Sequence, residues 1–188
     1  MTTVLNLDPI TKLTVSQFYQ LCLANPDLLL ERSPTGELII VTPLGGESGS
    51  QQANLIASVV IWNRQTKLGI AFSSQTIFSL PGSGSRAPDA SWVELSRWEA
   101  LSEEERSGFP PICPDFLIEL RSKSDRLQPL QAKMQEYLRS GLRLGWLINP
   151  QDRQVEIYRQ MQDVEVVETP VILSGEDVLP GFSLEIAF

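Results

Sequence analysis

The chain contains no histidine at all. That absence removes Ser-His-Asp and Cys-His nucleophile systems, imidazole general bases and imidazole zinc sites. Cysteine is scarce too: Cys22 and Cys113 cannot build a structural zinc site alone. Far apart in sequence, they are expected to be buried free thiols in a reducing compartment. Long apolar runs are missing. The longest, LIASVVIW at 55–62, is far too short to span a bilayer, and MTTVLNLDPI lacks the basic and apolar regions of a secretory signal. A cytoplasmic protein with no membrane association is expected. Positive charge is in deficit: 15 Lys and Arg face 23 Asp and Glu, for a net charge of −8. Indiscriminate binding to a polyanion is therefore not expected. Carboxylate and lysine chemistry is what remains, and a metal held mostly by oxygen points to magnesium or manganese.

What is present is unevenly distributed. From Arg121 to Arg143 there are six basic residues (Arg121, Lys123, Arg126, Lys133, Arg139, Arg143) and two acidic ones (Asp125, Glu136). That segment carries +4 and leaves −12 on the rest of the chain. It reads either as a solvated helix face or as a flank for an anionic ligand.

The length of 188 residues fits one domain with a proper core. Thr14 can cap a helix VSQFYQLCLA. LLLERSPTGELIIV predicts two strands around a Ser33-Pro34-Thr35-Gly36 turn. Gly45-Gly46 leads into a long helix from about Glu47 to Leu68, with Gly69 expected as its C-terminal cap. IAFSSQ and TIFSL predict strands, PGSGSRAP a loop, and DASWVEL another strand followed by a short helical piece and the polar loop SEEERSGFPPI. A helix is predicted over 127–140 with Gly141 as cap. Then come a hairpin of LRLGWLIN and QVEIYRQ, and short C-terminal strands with LPGF as a turn. The order describes a mixed central sheet flanked by helices, in the α/β or α+β classes, with an N-terminal hairpin.

The stretch PDFLIELRSKSD at 114–125 carries an anomaly. Phe116, Leu117, Ile118 and Leu120 are continuously apolar, as in a strand covered on both faces. Glu119 and Arg121 nevertheless share one of those faces. Pro88-Asp89 opens an earlier strand. Two carboxylates at adjacent strand ends can hold one divalent ion, and a nearby cation would stabilise charge developing on a phosphoryl group.

The ordered series RAPDASWV, PDFLIELRSKSD, LQAKMQEYLRSGLRLGWLINP, VEIYR and LPGFSLEI resembles the PD-(D/E)XK restriction-endonuclease-like superfamily. The resemblance is to its bacterial endonuclease branch, long catalogued as a domain of unknown function, and covers most of the chain after residue 40. It implies a restriction-endonuclease-like core as a single domain over 1–188, acting on DNA with Mg²⁺ (or Mn²⁺) held by Asp89 and Glu119. Glu47 would correspond to an auxiliary helix acid, although an acid at a helix start is also ordinary dipole compensation. The chain departs from the pattern at position 121, where arginine replaces the lysine. A guanidinium can stabilise an anion but cannot take a proton from water.

Substitutes for that lysine lie on the 127–140 helix. Leu127, Leu130, Met134, Tyr137 and Leu138 form its core stripe, and Lys133 sits at the flank, able to reach along the sheet. Gln131 falls inside the apolar sector, where its amide is either bonded to backbone or water or aimed at the site. Competing roles stand beside each candidate: Asp89 as turn aspartate, Glu119 salt-bridged to Arg121, and Ser122 and Ser124 as helix caps. Pro114-Asp115 is a second PD, but its acid would share a strand with Glu119. The four tryptophans read as core or edge packing. Three functions follow in order: a Mg²⁺-dependent endonuclease acting on DNA as a homodimer, an inactive nuclease-fold module binding nucleic acid or protein, and an enzyme for another phosphorylated substrate.

Overall fold

Thr14 caps the first helix, as its sequence requires: its hydroxyl accepts from the Gln17 amide and Gln17 returns the bond. The computed structural model describes residues 2–5, 7 and 10–188. In chain order the first half contains β1 (Thr2–Leu5), α1 (Val15–Ala24), β2 (Leu30–Arg32), β3 (Leu38–Val41), α2 (Gly46–Thr66), β4 (Gly69–Ser73), β5 (Phe78–Ser79), β6 (Ser85–Arg86) and β7 (Ala90–Glu94). Two short helices follow, α3 (Leu95–Glu99) and α4 (Glu103–Ser107), then β8 (Phe116–Leu120), α5 (Leu127–Arg139) and β9 (Leu144–Asn149). The chain ends with β10 (Gln154–Arg159), β11 (Glu165–Glu168), β12 (Val171–Ser174) and β13 (Ser183–Ile186).

The strands form a six-stranded sheet ordered β11-β10-β9-β8-β7-β4 and a five-stranded sheet ordered β1-β3-β2-β6-β5, with β12 and β13 as a separate pair. Within the larger sheet only β8 and β9 run parallel, and α5 makes the crossover between them. This is the expected mixed sheet with flanking helices. No helix among the described residues is long and apolar enough to cross a membrane.

Alternation sorts the residues of β8 onto two cores. Phe116, Ile118 and Leu120 pack with Leu55, Val59 and Trp62 of α2 and with Phe182. Leu117 packs on the opposite face with Met134 and Tyr137 of α5. Every β8 residue is buried, so the strand is covered on both faces. Glu119 has the parity of Leu117 and therefore lies on the α5 side. In β7, Val93 belongs to that same side, which gives residue 89 the same parity. Three tryptophans (Trp62, Trp92 and Trp146) are core residues, and Trp98 packs against Phe72.

Three local expectations need correction. Gly69 is not the cap of α2. Lys67 fills that place in the left-handed conformation, and Gly69 starts β4 where a Cβ would lie 2.2 Å from the Val93 carbonyl oxygen. Close backbone approach, not capping, demands the glycine. PGSGSRAP is not wholly loop: Ser85 and Arg86 form β6, pair with β2 and β5, and are buried. Long-range pairing overrides its turn-rich composition. SEEERSGFPPI contains α4, held by a reciprocal Ser102–Glu105 capping box. The cysteines are free, with Cys113 buried and Cys22 partly so.

Candidate functional site

Antiparallel pairing of Ala90 with Ile118 sets residue 89 opposite residue 119 one step further along the ladder. Asp89 is partly buried. Its Oδ2 accepts the Leu120 amide at 2.7 Å, and its Oδ1 accepts the Gln52 side-chain amide of α2 at 2.6 Å. Glu119, 3 % exposed, directs Oε1 at two donors from α5: the Lys133 ammonium at 2.8 Å and the Tyr137 hydroxyl at 3.0 Å. Its Oε2 accepts no hydrogen bond among the described residues, leaving one carboxylate oxygen uncommitted. The two acids predicted from the sequence are thus neighbours on one face of the sheet, with Lys133 beside them.

Lys133 has a second carboxylate. Glu31, the middle residue of β2, accepts its ammonium at 2.9 Å, the Ala87 amide at 3.0 Å and the Arg86 guanidinium at 3.0 Å. Arg86 in turn places two nitrogens on Glu136 Oε2, at 2.9 and 2.6 Å, while Glu136 Oε1 accepts from Ser83 and the Gly84 amide at 3.0 Å. Gly84 has to be glycine here, because a Cβ would sit 2.3 Å from the Arg32 carbonyl oxygen and 2.6 Å from that same carboxylate oxygen. An alternating chain of charges, Glu136, Arg86, Glu31, Lys133 and Glu119, therefore runs from α5 through the small sheet to the site. Each buried charge has an opposite neighbour, the condition under which buried ions are tolerable.

The titration shifts follow from this arrangement. Burial pushes Glu119 up to about 8; Lys133 pulls it down, and the nearby Asp89 and Glu31 charges add to the rise. Burial also raises Asp89, against the stabilising Leu120 amide, Lys133 and Gln52. Burial opposes the charge on Glu31, but Lys133 and Arg86 outweigh it and its pKa is lowered. Burial likewise opposes the charge on Lys133; Glu119 and Glu31 outweigh it and raise the value, so the ammonium stays protonated at neutral pH.

Among the described residues no group of three or more His, Cys, Asp or Glu side chains is arranged to hold a metal. The candidate donor set is the Asp89–Glu119 pair. Both are hard oxygen donors, both are displaced toward the neutral form chiefly by burial, and Glu119 keeps a free oxygen. Mg²⁺ is commonly held by one or two carboxylates with water and phosphate oxygens completing its shell, so this pair fits it. The pair opens into a cavity of about 890 Å³ lined also by β3, the start of α2 and the start of α5.

Three sequence expectations lie elsewhere. Arg121 is one residue past β8 and bonds Asn149 and Asp152 at 3.1 and 2.9 Å, not Glu119. Gln131 turns toward β10 and donates to Glu156 at 2.8 Å, outside the cavity lining. Its polar position in the apolar sector is explained by a buried carboxylate partner. Glu47 is exposed and pairs with Lys123 at 2.7 Å, also outside that lining. On α2 it is Gln52, not Glu47, that touches Asp89. Asp115 is fully buried at the other end of β8 and is held by Arg97 at 2.7 Å and by the Glu94 amide. Sequence reasoning missed Gln52, Glu31, Arg86 and Glu136. The only available signal was in LLLE at 28–31, an apolar run interrupted by a carboxylate, as is LIEL at 117–120.

A mixed sheet with a β8-α5-β9 crossover, carrying opposed acids on β8 and just before β7 beside a helix lysine, defines a restriction-endonuclease-like fold. A crystal structure from Anabaena variabilis, described as a putative nuclease belonging to DUF820, matches with a TM-score of 0.76. The match is at 23% identity over 92% of this chain and 94% of that one. The family model Uma2, described as "Putative restriction endonuclease", matches residues 15–187, and the chain belongs to that family. No curated protein matches the chain.

Proposed function

We propose that the protein is a metal-dependent endonuclease that hydrolyses DNA phosphodiester bonds. The observation that carries this reading is the Lys133 ammonium 2.8 Å from Glu119, on the face shared with Asp89. In this reading Asp89 and Glu119 hold Mg²⁺ or Mn²⁺, which when bound would supply an activated water and charge for the phosphoryl oxygens. Lys133, kept protonated by its two carboxylates, serves as the fixed cation facing the phosphate and not as a base. Tyr137 orients Glu119 by donating to Oε1, and Gln52 orients Asp89. Purified protein with Mn²⁺ should nick DNA, and Asp89→Ala and Glu119→Ala should both abolish nicking. Equal activity in those variants would assign the cutting to a contaminant.

One observation favours a second reading, an inert nuclease-fold module: both Asp89 oxygens are already engaged by neutral donors. Titration calorimetry separates the two, since an inert module gives no Mn²⁺ heat. The homodimer expected from pooling two basic flanks loses much of its motive, because Arg121, Lys123, Lys133 and Arg143 are each paired with acids. Light scattering at micromolar concentration tests it, a single-chain mass counting against pairing.

A further inference from the structure

The cavity that contains the acids has two features that the hydrolytic reading does not use. One is its walls. Val4, Leu29, Val41 and Leu44, from the small sheet and the loops flanking its strands, and Pro129 and Leu130 of α5 all line it. Val4 and Leu44 are 53% and 38% exposed, so apolar surface faces solvent directly beside the charged floor. A phosphodiester backbone alone has no use for such walls, whereas a base and sugar do. The volume of about 890 Å³ suits a ligand of nucleotide to dinucleotide size.

The second feature is charge. A protein that grips a duplex along its length neutralises one phosphate per lysine or arginine contact. The segment with the greatest excess of basic residues does not offer that surface. Lys123 is tied to Glu47, Arg121 to Asp152, Arg143 to Glu94 and Asp115, and Lys133 to Glu31 and Glu119. Of the six cations there, only Arg126 and Arg139 have no acidic partner among the described residues. Arg126 is exposed and lines the cavity mouth at the start of α5; Arg139 is at the far end of that helix. The cleft thus presents one uncompensated cation beside an apolar slot. That is a footprint of one or two phosphates.

We propose that the site takes a locally unpaired DNA strand, with one nucleotide's base and sugar between the apolar walls and the adjoining phosphate on Arg126, and does not hold a continuous duplex. This rests on the nucleic-acid part of the hydrolytic reading but not on cleavage. Absence of aromatic side chains from the cavity lining among the described residues makes the base contact aliphatic, so little base preference is expected.

Binding, not cutting, tests it. The full chain with Ca²⁺ is titrated against a short fluorescent single strand and a hairpin-closed duplex of the same composition, reading anisotropy over a range of KCl. The single strand should bind at least about tenfold more tightly. Its log K should fall with log[salt] at a slope of about −0.7 to −1.4, the value for one or two phosphate contacts to a single strand. Arg126→Ala should remove about one contact from that slope, and Leu44→Glu, on an exposed loop, should weaken the single strand without changing its melting temperature. Equal or tighter binding of the closed duplex, or a slope as steep as about −6, would overturn the proposal. So would the failure of the single strand to bind. Selective single-strand binding without hydrolysis in Mn²⁺ would retain it and remove the endonuclease reading instead.

Discussion

Replacing Lys133 by methionine removes a charge while keeping most of the side chain's volume. In the wild type that ammonium stands 2.8 Å from Glu119 and 2.9 Å from Glu31, with both carboxylates under 5% exposed. The variant leaves Glu119 with only the Tyr137 hydroxyl and Glu31 with Arg86 and a backbone amide. Breaking a buried pair from one side costs about 3–5 kcal/mol. For a chain of this size that corresponds to a fall in Tm of about 10 °C or somewhat more. In the hydrolytic assay the loss of one fixed charge from the phosphate should lower kcat by about 10²–10³ with little change in KM. The two effects separate in the double variant Lys133→Met/Glu31→Gln. Removing the stranded carboxylate should return about 1–2 kcal/mol of stability, because the two sites share one interaction, yet leave kcat at the single-variant level. Thermal melts and single-turnover kinetics on the same samples read both. If Lys133→Met melted within about 2 °C of wild type, or the second substitution only added to the loss, the buried charge chain would not be the structural element described.

Cation binding should depend on pH in a definite direction. Glu119 is raised to about 8 by burial, so without a cation the folded state holds a proton there that the unfolded chain releases near 4.5. Stability therefore declines as pH rises from about 4.5 towards 8 for this group alone. A cation replaces that proton, so Mn²⁺ should raise Tm more at pH 8.5 than at pH 6, as about pH 8 divides the two regimes. Scanning calorimetry with and without Mn²⁺ checks it, and a larger shift at the lower pH, or an undiminished one in Glu119→Gln, would contradict it. Gln131→Met should cost about 1–3 kcal/mol, because Glu156 loses a donor while buried, yet leave the cleavage rate per folded molecule intact. A specific loss of turnover would restore Gln131 to the site.

How much of this was legible depends on the range of the interaction. Lys133 could be found because helix geometry is local: flanking positions at i−3 and i+4 fix which way the side chain reaches, whatever the partner. Asp89 and Glu119 could be found because an acid at the end of a strand interrupts an apolar pattern. Gln131 shows the limit of the same reasoning. Its sector was read rightly, but the residue waiting there, Glu156, belongs to a strand that no periodicity links to α5. Arg86 lies in a run of Gly, Ser and Pro whose local preference is a turn. Only its pairing with β2 and β5 buries it, and only the distant Glu31 and Glu136 make that burial tolerable. Glu136 reads as an ordinary surface acid for the same reason. Electrostatic partners brought together by the fold leave no trace in the spacing of either residue.

The arginine in the lysine slot can be understood in the same terms. Parity keeps position 121 on the α5 side of the sheet, but β8 has ended, and Asn149 and Asp152 lie within reach. A cation there is drawn toward the β9–β10 turn and away from Glu119. The parallel β8–β9 connection, meanwhile, obliges the intervening helix to return across that face of the sheet. α5 does so with Lys133 between Leu130 and Tyr137, and delivers the ammonium to Glu119 from above the strand and not along it. Arginine at 121 therefore does not deprive the acids of a cation.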